Sequence, residues 1–235
     1  MSEQDPFEPR AVVGRRGGRV KAALSHDVIV DKALELLATH GLEGMSLRSV
    51  AKALDTGAAS LYVYVDDAQQ LQALVLDRAL AKVATGAGRQ KPWRERLNAV
   101  LESYYRVLTR HRGLAQIAMS TIATGPNALR FIETLLEILA EAGVDESSAA
   151  WAVDLLMLYV SAIAFEQTQR TAADTLAPIT RAVAAISAAE HPRLHRVREL
   201  IVAGSGKARF SWALRVLLEG MLRVPLDPAD IKRSR

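Results

Sequence analysis

Apolar residues recur every three or four positions along most of the chain, which is the spacing of one buried helix face. Alternating β-branched runs, which would indicate strands, are absent from the sequence. Glycine and proline fall mainly between the periodic segments, where they separate one helix from the next. We therefore predict an all-α protein, with helices near residues 26–39, 47–54, 58–65, 68–85, 93–111, 114–122, 126–142, 146–170, 174–189 and 207–223.

Two of these helices form a short hairpin within the stretch from Ser46 to Leu71. Ser46 is placed to cap the first helix, and Gly57 allows a tight turn before the second. The inward positions are apolar: Leu47, Val50, Ala51, Leu54, Leu61 and Val65. The outward positions of the second helix are Ala58, Ala59, Ser60, Tyr62 and Tyr64. Such a hairpin suits a helix-turn-helix that places its second helix in the DNA major groove, although spacing alone also suits a packed hairpin without a DNA role.

The hairpin resembles the DNA-binding domain of the tetracycline-repressor (TetR) family of transcriptional regulators. The residues that carry this resemblance are Gly41, Ser46, Arg48, Ala51, Leu54, Leu61, Tyr62, Tyr64, Val65 and Leu71. The second half resembles the C-terminal domain of regulators related to the tetracycline repressor, through HRGLAQIA, TGPNALRFIETLL and ARFSWALRVLLEGML. The resemblance implies a homodimeric repressor that binds double-stranded DNA at a palindromic operator and is released by a small-molecule effector.

The resemblance also implies which residues contact the DNA. Hydroxyl groups and one guanidinium would bind phosphates, and the start of the second helix would contact bases. The predicted set is Arg15, Arg16, Arg19, Ser46, Arg48, Thr56, Gly57, Ala58, Ala59, Ser60, Tyr62 and Tyr64. Alanine side chains touch only thymine methyl groups, whereas a serine hydroxyl bonds in either direction. We therefore expect specificity to depend on DNA shape and on the arginine-rich N-terminal arm.

The regulatory half is predicted to hold an apolar pocket between its helices. Helical position gives the pocket candidates Tyr104, Met119, Phe131, Met157, Phe165 and Gln167, for each of which ordinary core packing is the alternative. The segment GLAQIAMST has no histidine, which argues against tetracycline as the ligand, since the tetracycline repressor holds its drug–magnesium complex with a histidine there.

By resemblance, the long apolar helix and the last helix pair with their copies in a four-helix bundle. The interface candidates are Trp151, Leu155, Leu158, Phe210, Leu214, Leu217 and Met221. Core packing within one chain is the alternative for each of them.

Composition indicates the cellular compartment. The chain has 235 residues, a net charge of +4 and no cysteine, which is compatible with a reducing cytoplasm. Its most apolar run, residues 149–165, is shorter than the ~20 residues of a membrane span, so we predict no membrane partner and a helix buried on nearly all sides.

Enzyme motifs are incomplete, and we predict a protein that is not an enzyme and that uses no cofactor and no metal. His191 and His195 have metal-ligand spacing, but Pro192 stands between them and no third ligand is near in sequence. The GSGK sequence at residues 204–207 lacks the first glycine and the final hydroxyl residue of a phosphate-binding loop.

The chain is predicted to divide into an arm (1–23), a DNA-binding domain (24–84), a regulatory domain (90–224) and a tail (225–235). Asp55 stands where the family usually has glycine, and Ala68, after Asp66 and Asp67, where lysine is common. These departures leave one alternative: an all-α small-molecule-binding protein with weakened or lost DNA binding.

Overall fold

The structure is a computed structural model that describes residues 7, 24–169, 177–227 and 229, and within these ranges it is helical and contains no strand. The helices are α1 (His26–Gly44), α2 (Leu47–Ala53), α3 (Ala58–Leu61), α4 (Ala68–Leu80), α5 (Trp93–Thr109), α6 (Leu114–Ser120), α7 (Pro126–Glu141), α8 (Glu146–Gln169), α9 (Ala177–Ala184), α10 (Pro192–Val202) and α11 (Gly206–Arg223). The predicted all-α fold is confirmed.

Side-chain caps explain where the first helices begin. At the start of α1, the Val28 N–H donates to Ser25 Oγ at 3.3 Å. At the start of α2 the caps are reciprocal: Ser49 N donates to Ser46 Oγ (3.1 Å) and Ser46 N donates to Ser49 Oγ (2.8 Å). These bonds pair backbone donors that have no partner within the helix. Gly41 interrupts α1 with a φ of 68°, close to the predicted end of this helix.

The helix after the tight turn is shorter than predicted. α3 ends at Leu61 rather than near residue 65, and the Leu61 carbonyl accepts from Tyr64 N as well as from Val65 N, both at 2.9 Å. The bond from Tyr64 spans three residues, which is tighter than the four-residue spacing of an α-helix. The side chains of Leu61 and Val65 are fully buried, as the apolar pattern indicated. In the preceding turn Asp55 has a φ of 51°, in the left-handed region that favours glycine.

α4 connects the hairpin to the helices that follow it. Near its end, the buried Asp77 carboxylate accepts hydrogen bonds from Asn127 N (2.9 Å), Ala128 N (3.0 Å) and Asn127 Nδ2 (2.7 Å). The residue that precedes α7, Gly125, has no side chain to cap this helix. Asp77 therefore caps α7 from another helix and joins α4 to the first turn of α7.

α1 and α6 approach each other closely at Gly113, which precedes α6 and has a φ of 93°. A Cβ atom on this glycine would lie 3.0 Å from Leu42 N and 3.1 Å from Leu37 Cδ1, both on α1. These distances are too short for a larger residue without movement of a backbone atom. Glycine therefore permits the first helix of the chain to pack directly against the start of α6.

α8 is buried on one face only, and the prediction that it is buried on nearly all sides is wrong. Its buried residues are Ser148, Ala149, Ala152, Val153, Leu156, Val160, Ser161 and Ala164. Trp151, Leu155 and Leu158 lie on its surface with exposed fractions of 54%, 43% and 51%. Length and composition would let α8 cross a membrane, but a single helix of this kind is weak evidence, since core helices of soluble proteins pass the same test.

By contacts, the chain divides into two compact units, residues 1–165 and residues 166–235. The predicted boundary between residues 84 and 90 therefore lies inside the first unit, and the division into domains at that point stays a prediction. In the second unit, a separate helix begins at Pro192 instead of continuing α9.

The last helix, α11, carries a mixed set of interface candidates. Leu214 is 1% exposed within a single chain, which favours the alternative of core packing, and its role at a dimer interface stays a prediction. Phe210, Leu217 and Met221 are half-buried. Trp212, which the sequence analysis did not select, is 62% exposed.

Candidate functional site

The hairpin formed by α2 and α3 presents a polar surface. Ser46, Arg48 and Ser60 are exposed, and Tyr62 is 55% exposed. Their side chains offer hydroxyl groups and one guanidinium, which are suited to phosphate oxygens. These four of the positions predicted for DNA contact therefore lie at the surface, on an element whose apolar residues face the core.

An open groove of about 490 Å³ runs beside these positions, between α2 and the start of α3. Its lining residues are Arg48, Ala51, Lys52, Asp55, Thr56, Gly57 and Ala58. Two of them are cationic and one is acidic, so the groove has a net positive charge. Lys52 is exposed on α2 and was not among the DNA contacts predicted from the sequence.

Tyr64 does not face outward as predicted, because it is 7% exposed. The turn after α3 directs it into the small domain, where its carbonyl oxygen lies 2.7 Å from His26 Nε2 and its ring meets the His26 ring edge-on, with centroids 6.3 Å apart. Tyr64 thus holds the turn against α1. Arg15, Arg16 and Arg19, the predicted arm, lie outside the described residues.

The two acidic residues after the hairpin, Asp66 and Asp67, form hydrogen bonds at the start of α4. The Asp67 carboxylate accepts a hydrogen bond from Gln70 N at 2.8 Å and caps α4. Gln70 Oε1 in turn accepts from the backbone N–H of Asp66. Asp67 therefore fixes the start of the helix that follows the hairpin, which accounts for a carboxylate at this position.

A second cavity lies among α4 to α8 and has a volume of about 540 Å³. It is lined by Leu76, Tyr104, Ala118, Met119, Ser120, Thr121, Ile122, Ala123, Ile132, Leu136, Ala150, Val153, Asp154, Met157, Leu158 and Ser161. Most of these side chains are apolar, with a few polar groups among them, as in binding sites for small organic molecules. Ile122 is 85% exposed and Met119 is 45% exposed, so the α6 side of the cavity reaches the surface.

The buried wall of this cavity carries a pair of hydroxyl groups. Tyr104 Oη lies 2.8 Å from Ser161 Oγ, and both residues are buried. Burial raises the pKa of Tyr104 to about 12, against a smaller lowering by the hydrogen bond with Ser161. Tyr104 therefore stays a neutral phenol at physiological pH and can donate a hydrogen bond into the cavity.

Three of the predicted pocket residues line this cavity together, namely Tyr104, Met119 and Met157. Phe131 is fully buried behind it and packs on the Tyr104 ring, with centroids 4.8 Å apart. Phe165 and Gln167 lie further along α8 and do not line the cavity. Their roles as ligand contacts stay predictions.

The sequence analysis missed Asp154, the only charged residue among the described residues that line this cavity. Asp154 is exposed and forms no hydrogen bond or ion pair with any residue in the described ranges. It lies four positions before Leu158, so helical spacing alone placed it on the same side of α8 as predicted interface residues. Its position beside the cavity becomes visible only when α6 and α8 are packed together.

No group of three histidine, cysteine, aspartate or glutamate side chains in the described ranges is arranged to hold a metal ion. The two histidines with metal-ligand spacing begin α10 at its cap and first turn. His195 Nε2 lies 2.5 Å from Arg198 Nη1, a cationic donor.

An exposed helix-turn-helix, joined through α4 to helices that enclose an apolar cavity, defines a class of DNA-binding regulator that senses a small molecule. Residues 29–67 match "Bacterial regulatory proteins, tetR family", and residues 85–224 match "Tetracyclin repressor-like, C-terminal domain". The chain therefore belongs to the TetR family of transcriptional regulators, and the family predicted from the sequence is confirmed.

Relatives include known repressors. DrrR1, an HTH-type transcriptional repressor of Streptomyces coeruleorubidus, is 32% identical over 171 residues, which are 72% of this chain and 63% of DrrR1. This chain thus spans less than two thirds of the length of DrrR1. The class D tetracycline repressor protein of Escherichia coli is 26% identical over 85% of this chain and 89% of that repressor.

Among solved structures, apo ActR from Streptomyces coelicolor is similar, with a TM-score of 0.79, 31% identity and coverage of 86% of this chain and 96% of ActR. ActR has also been crystallised in complex with actinorhodin. That structure matches this chain with the same TM-score and identity and covers 98% of the ActR chain.

Proposed function

We propose that this protein is a cytoplasmic, homodimeric transcriptional repressor that binds a palindromic operator and is released from it by a small-molecule effector. The observation that carries the proposal is the position of α4. This helix begins directly after the hairpin, and its Leu76 lines the 540 Å³ cavity. Occupation of the cavity therefore acts on the helix that positions the DNA-binding surface. Such a coupling needs two arrangements of α4 with different affinities for operator and effector.

In this proposal α3 enters the major groove while Arg48 and Tyr62 bind flanking phosphates. Arg48 lines the basic groove, and a hydrogen bond from a charged donor contributes about 1.5–3 kcal/mol. Replacement of Arg48 by glutamine in both subunits is thus expected to weaken operator binding at least about tenfold. It also removes two phosphate contacts per dimer, so the salt-dependence slope falls by about 1.8.

The matched control is Arg130→Gln, which removes the same charge from an exposed position on α7. The operator is first selected from a pool of random duplexes, and the affinities of both variants are then measured at several salt concentrations. We expect a palindromic consensus and an effect of Arg48→Gln only. DNA binding that selects no consensus sequence, and that Arg48→Gln and Arg130→Gln weaken equally, would support the alternative of a small-molecule-binding protein with lost DNA binding.

Dimerisation is proposed through the exposed apolar face of α8. Trp151, Leu155 and Leu158 lie four and three positions apart, on neighbouring turns of one face, and a stripe of this kind is usually covered by a partner. Trp151→Lys places a charge in this interface and is expected to shift sedimentation from dimer to monomer. Gln116→Lys on α6 is the control, since Gln116 is exposed and lies outside this stripe. A monomeric parent chain would refute the proposed interface.

The proposed effector has an apolar body, a hydrogen-bonding oxygen and a cationic group. The apolar lining accepts the body, the Tyr104 phenol donates to the oxygen, and the unpaired Asp154 carboxylate suits the cation. Actinorhodin, the ligand named for ActR, is a first probe for release of the operator complex. A screen of cationic and neutral aromatic compounds follows, with Asp154→Asn expected to weaken only the cationic compounds.

A further inference from the structure

A separate cavity of about 380 Å³ lies where α1, the end of α4 and α5 meet. Its lining residues are Leu34, Ala79, Lys82, Ala84, Ser103, Arg106, Val107, Arg110 and His111. Four of these side chains have basic groups, and none is acidic. This basic cavity shares no lining residue with the 540 Å³ cavity described above.

The helical spacing of α5 explains how the cations come together. Ser103, Arg106 and Arg110 lie three and four positions apart, so they share one face of α5 towards its C-terminal end, where Arg110 is the cap residue. Ser103 is buried, and its Oγ accepts a hydrogen bond from Ala84 N at 2.9 Å. This bond holds the segment after α4, with Lys82, against the same face of α5.

The positive charges in the basic cavity are not neutralised by the protein. Lys82, Arg106 and Arg110 form no ion pair with any residue among those that the structure describes. Elsewhere the chain does pair its cations, as at Arg96 with Glu141. All three residues are exposed, so water and salt screen part of their mutual repulsion, and a multivalent anion between them would lower the rest.

His111 gives an independent sign of a missing partner. Its Nδ1 atom is buried and has no hydrogen-bond partner in the described part of the chain. Burial lowers the pKa of His111, and the nearby charges of Lys82 and Arg110 lower it further. A buried polar atom without a partner is costly, and because other atoms of the His111 side chain line the cavity, the ring is placed to respond to an anion bound there.

We propose that the basic cavity binds a small multivalent anion of the phosphate class, separately from the effector cavity. Guanidinium groups pair with phosphate oxygens through two parallel hydrogen bonds, and Arg106 and Arg110 supply two such groups. The volume of about 380 Å³ is sufficient for a diphosphate. α4 also separates this cavity from the hairpin, since its 13 residues rise about 20 Å.

Such an anion would join α5 to the end of α4. Lys82 follows α4 directly, while Arg106 and Arg110 belong to α5 and its cap. An anion held by all three would fix the end of the helix that leads from the hairpin. The site is therefore a second point, besides the effector cavity, at which a small molecule can act on α4.

The test uses the full chain and sodium pyrophosphate, with inorganic phosphate as a weaker probe and sodium chloride added to keep ionic strength constant. Isothermal titration measures binding to the parent protein, Arg106→Gln, Arg110→Gln and the surface control Arg130→Gln. We expect saturable binding of about one pyrophosphate per chain. Affinity should fall at least tenfold in Arg106→Gln and Arg110→Gln and stay unchanged in Arg130→Gln.

A second measurement locates the anion in the cavity. Imidazole NMR signals of His111, assigned by their loss in His111→Gln, are followed during titration with pyrophosphate. We expect them to shift in the parent protein, with a weaker response in Arg110→Gln. Binding that does not saturate, or that is equal in all variants, would show only general attraction of an anion to a basic protein and would overturn the proposal. Failure of operator binding leaves this result unaffected, since no DNA is present.

Discussion

The Asp77 side chain joins α4 to α7, and we expect its removal to lower the free energy of unfolding. The change Asp77→Ala removes the acceptor for the backbone N–H groups of Asn127 and Ala128 and for the Asn127 side chain. Loss of an N-cap costs about 1 kcal/mol. Each buried donor left without a partner costs about 1–3 kcal/mol more. Of the three donors only Ala128 N is fully buried, whereas both Asn127 donors can reach water, so the cap and one unpaired donor together give an expected loss of about 3 kcal/mol in the free energy of unfolding.

Urea denaturation followed by circular dichroism measures this loss, and thermal melting should show a fall of about 6–12 °C for a chain of this size. Asp77→Asn keeps one oxygen acceptor and loses the charge near the helix start, so its loss should be smaller, about 1 kcal/mol. Glu137→Gln, at an exposed position on α7, is the control. Equal stability of Asp77→Ala and Glu137→Gln would refute the capping role.

Three further variants test other features of the structure. Asp55→Gly should leave the free energy of unfolding unchanged or raise it by about 0.5 kcal/mol, as measured by urea denaturation. Glycine removes the backbone strain at a φ of 51°, but it also gives the unfolded chain more conformational freedom. The pKa of His111 is lowered by burial first and by Lys82 and Arg110 next, so the unfolded chain takes up a proton before the folded one as pH falls. Stability should therefore decrease from about pH 6.5 downward, and His111→Gln should flatten this part of the denaturation profile. Tyr104→Phe leaves a buried serine hydroxyl without its partner, with an expected cost of about 1 kcal/mol in the same assay.

Local patterns predicted the helices and the family well, because their signals lie within a few residues of one another. Ser46 caps α2 as expected, and Leu61 is buried at the position that helical spacing gave it. The orientation of Tyr64 was wrong, since it depends on a turn that tightens at the Leu61 carbonyl and on contact with His26. Neither contact has a local sequence signal.

Contacts between residues that lie far apart in the sequence could not be predicted from it. The cap on α7 comes from Asp77, 50 positions before Asn127, and a lone acidic residue inside α4 does not indicate such a role. The basic cavity combines residues from three separate segments. Its only local signal was the spacing of Arg106 and Arg110 on α5, which is common on solvated helix faces.

The contact at Gly113 limits how this protein can be taken apart and recombined. A chimaera that joins this hairpin to the sensing half of a relative would replace α6 while keeping α1. Any residue other than glycine at the junction would then press against Leu37 and Leu42. A biosensor built from this chain should therefore exchange α1 together with the sensing helices, or keep both from one parent, because α1 lies in close contact with the residue that begins α6.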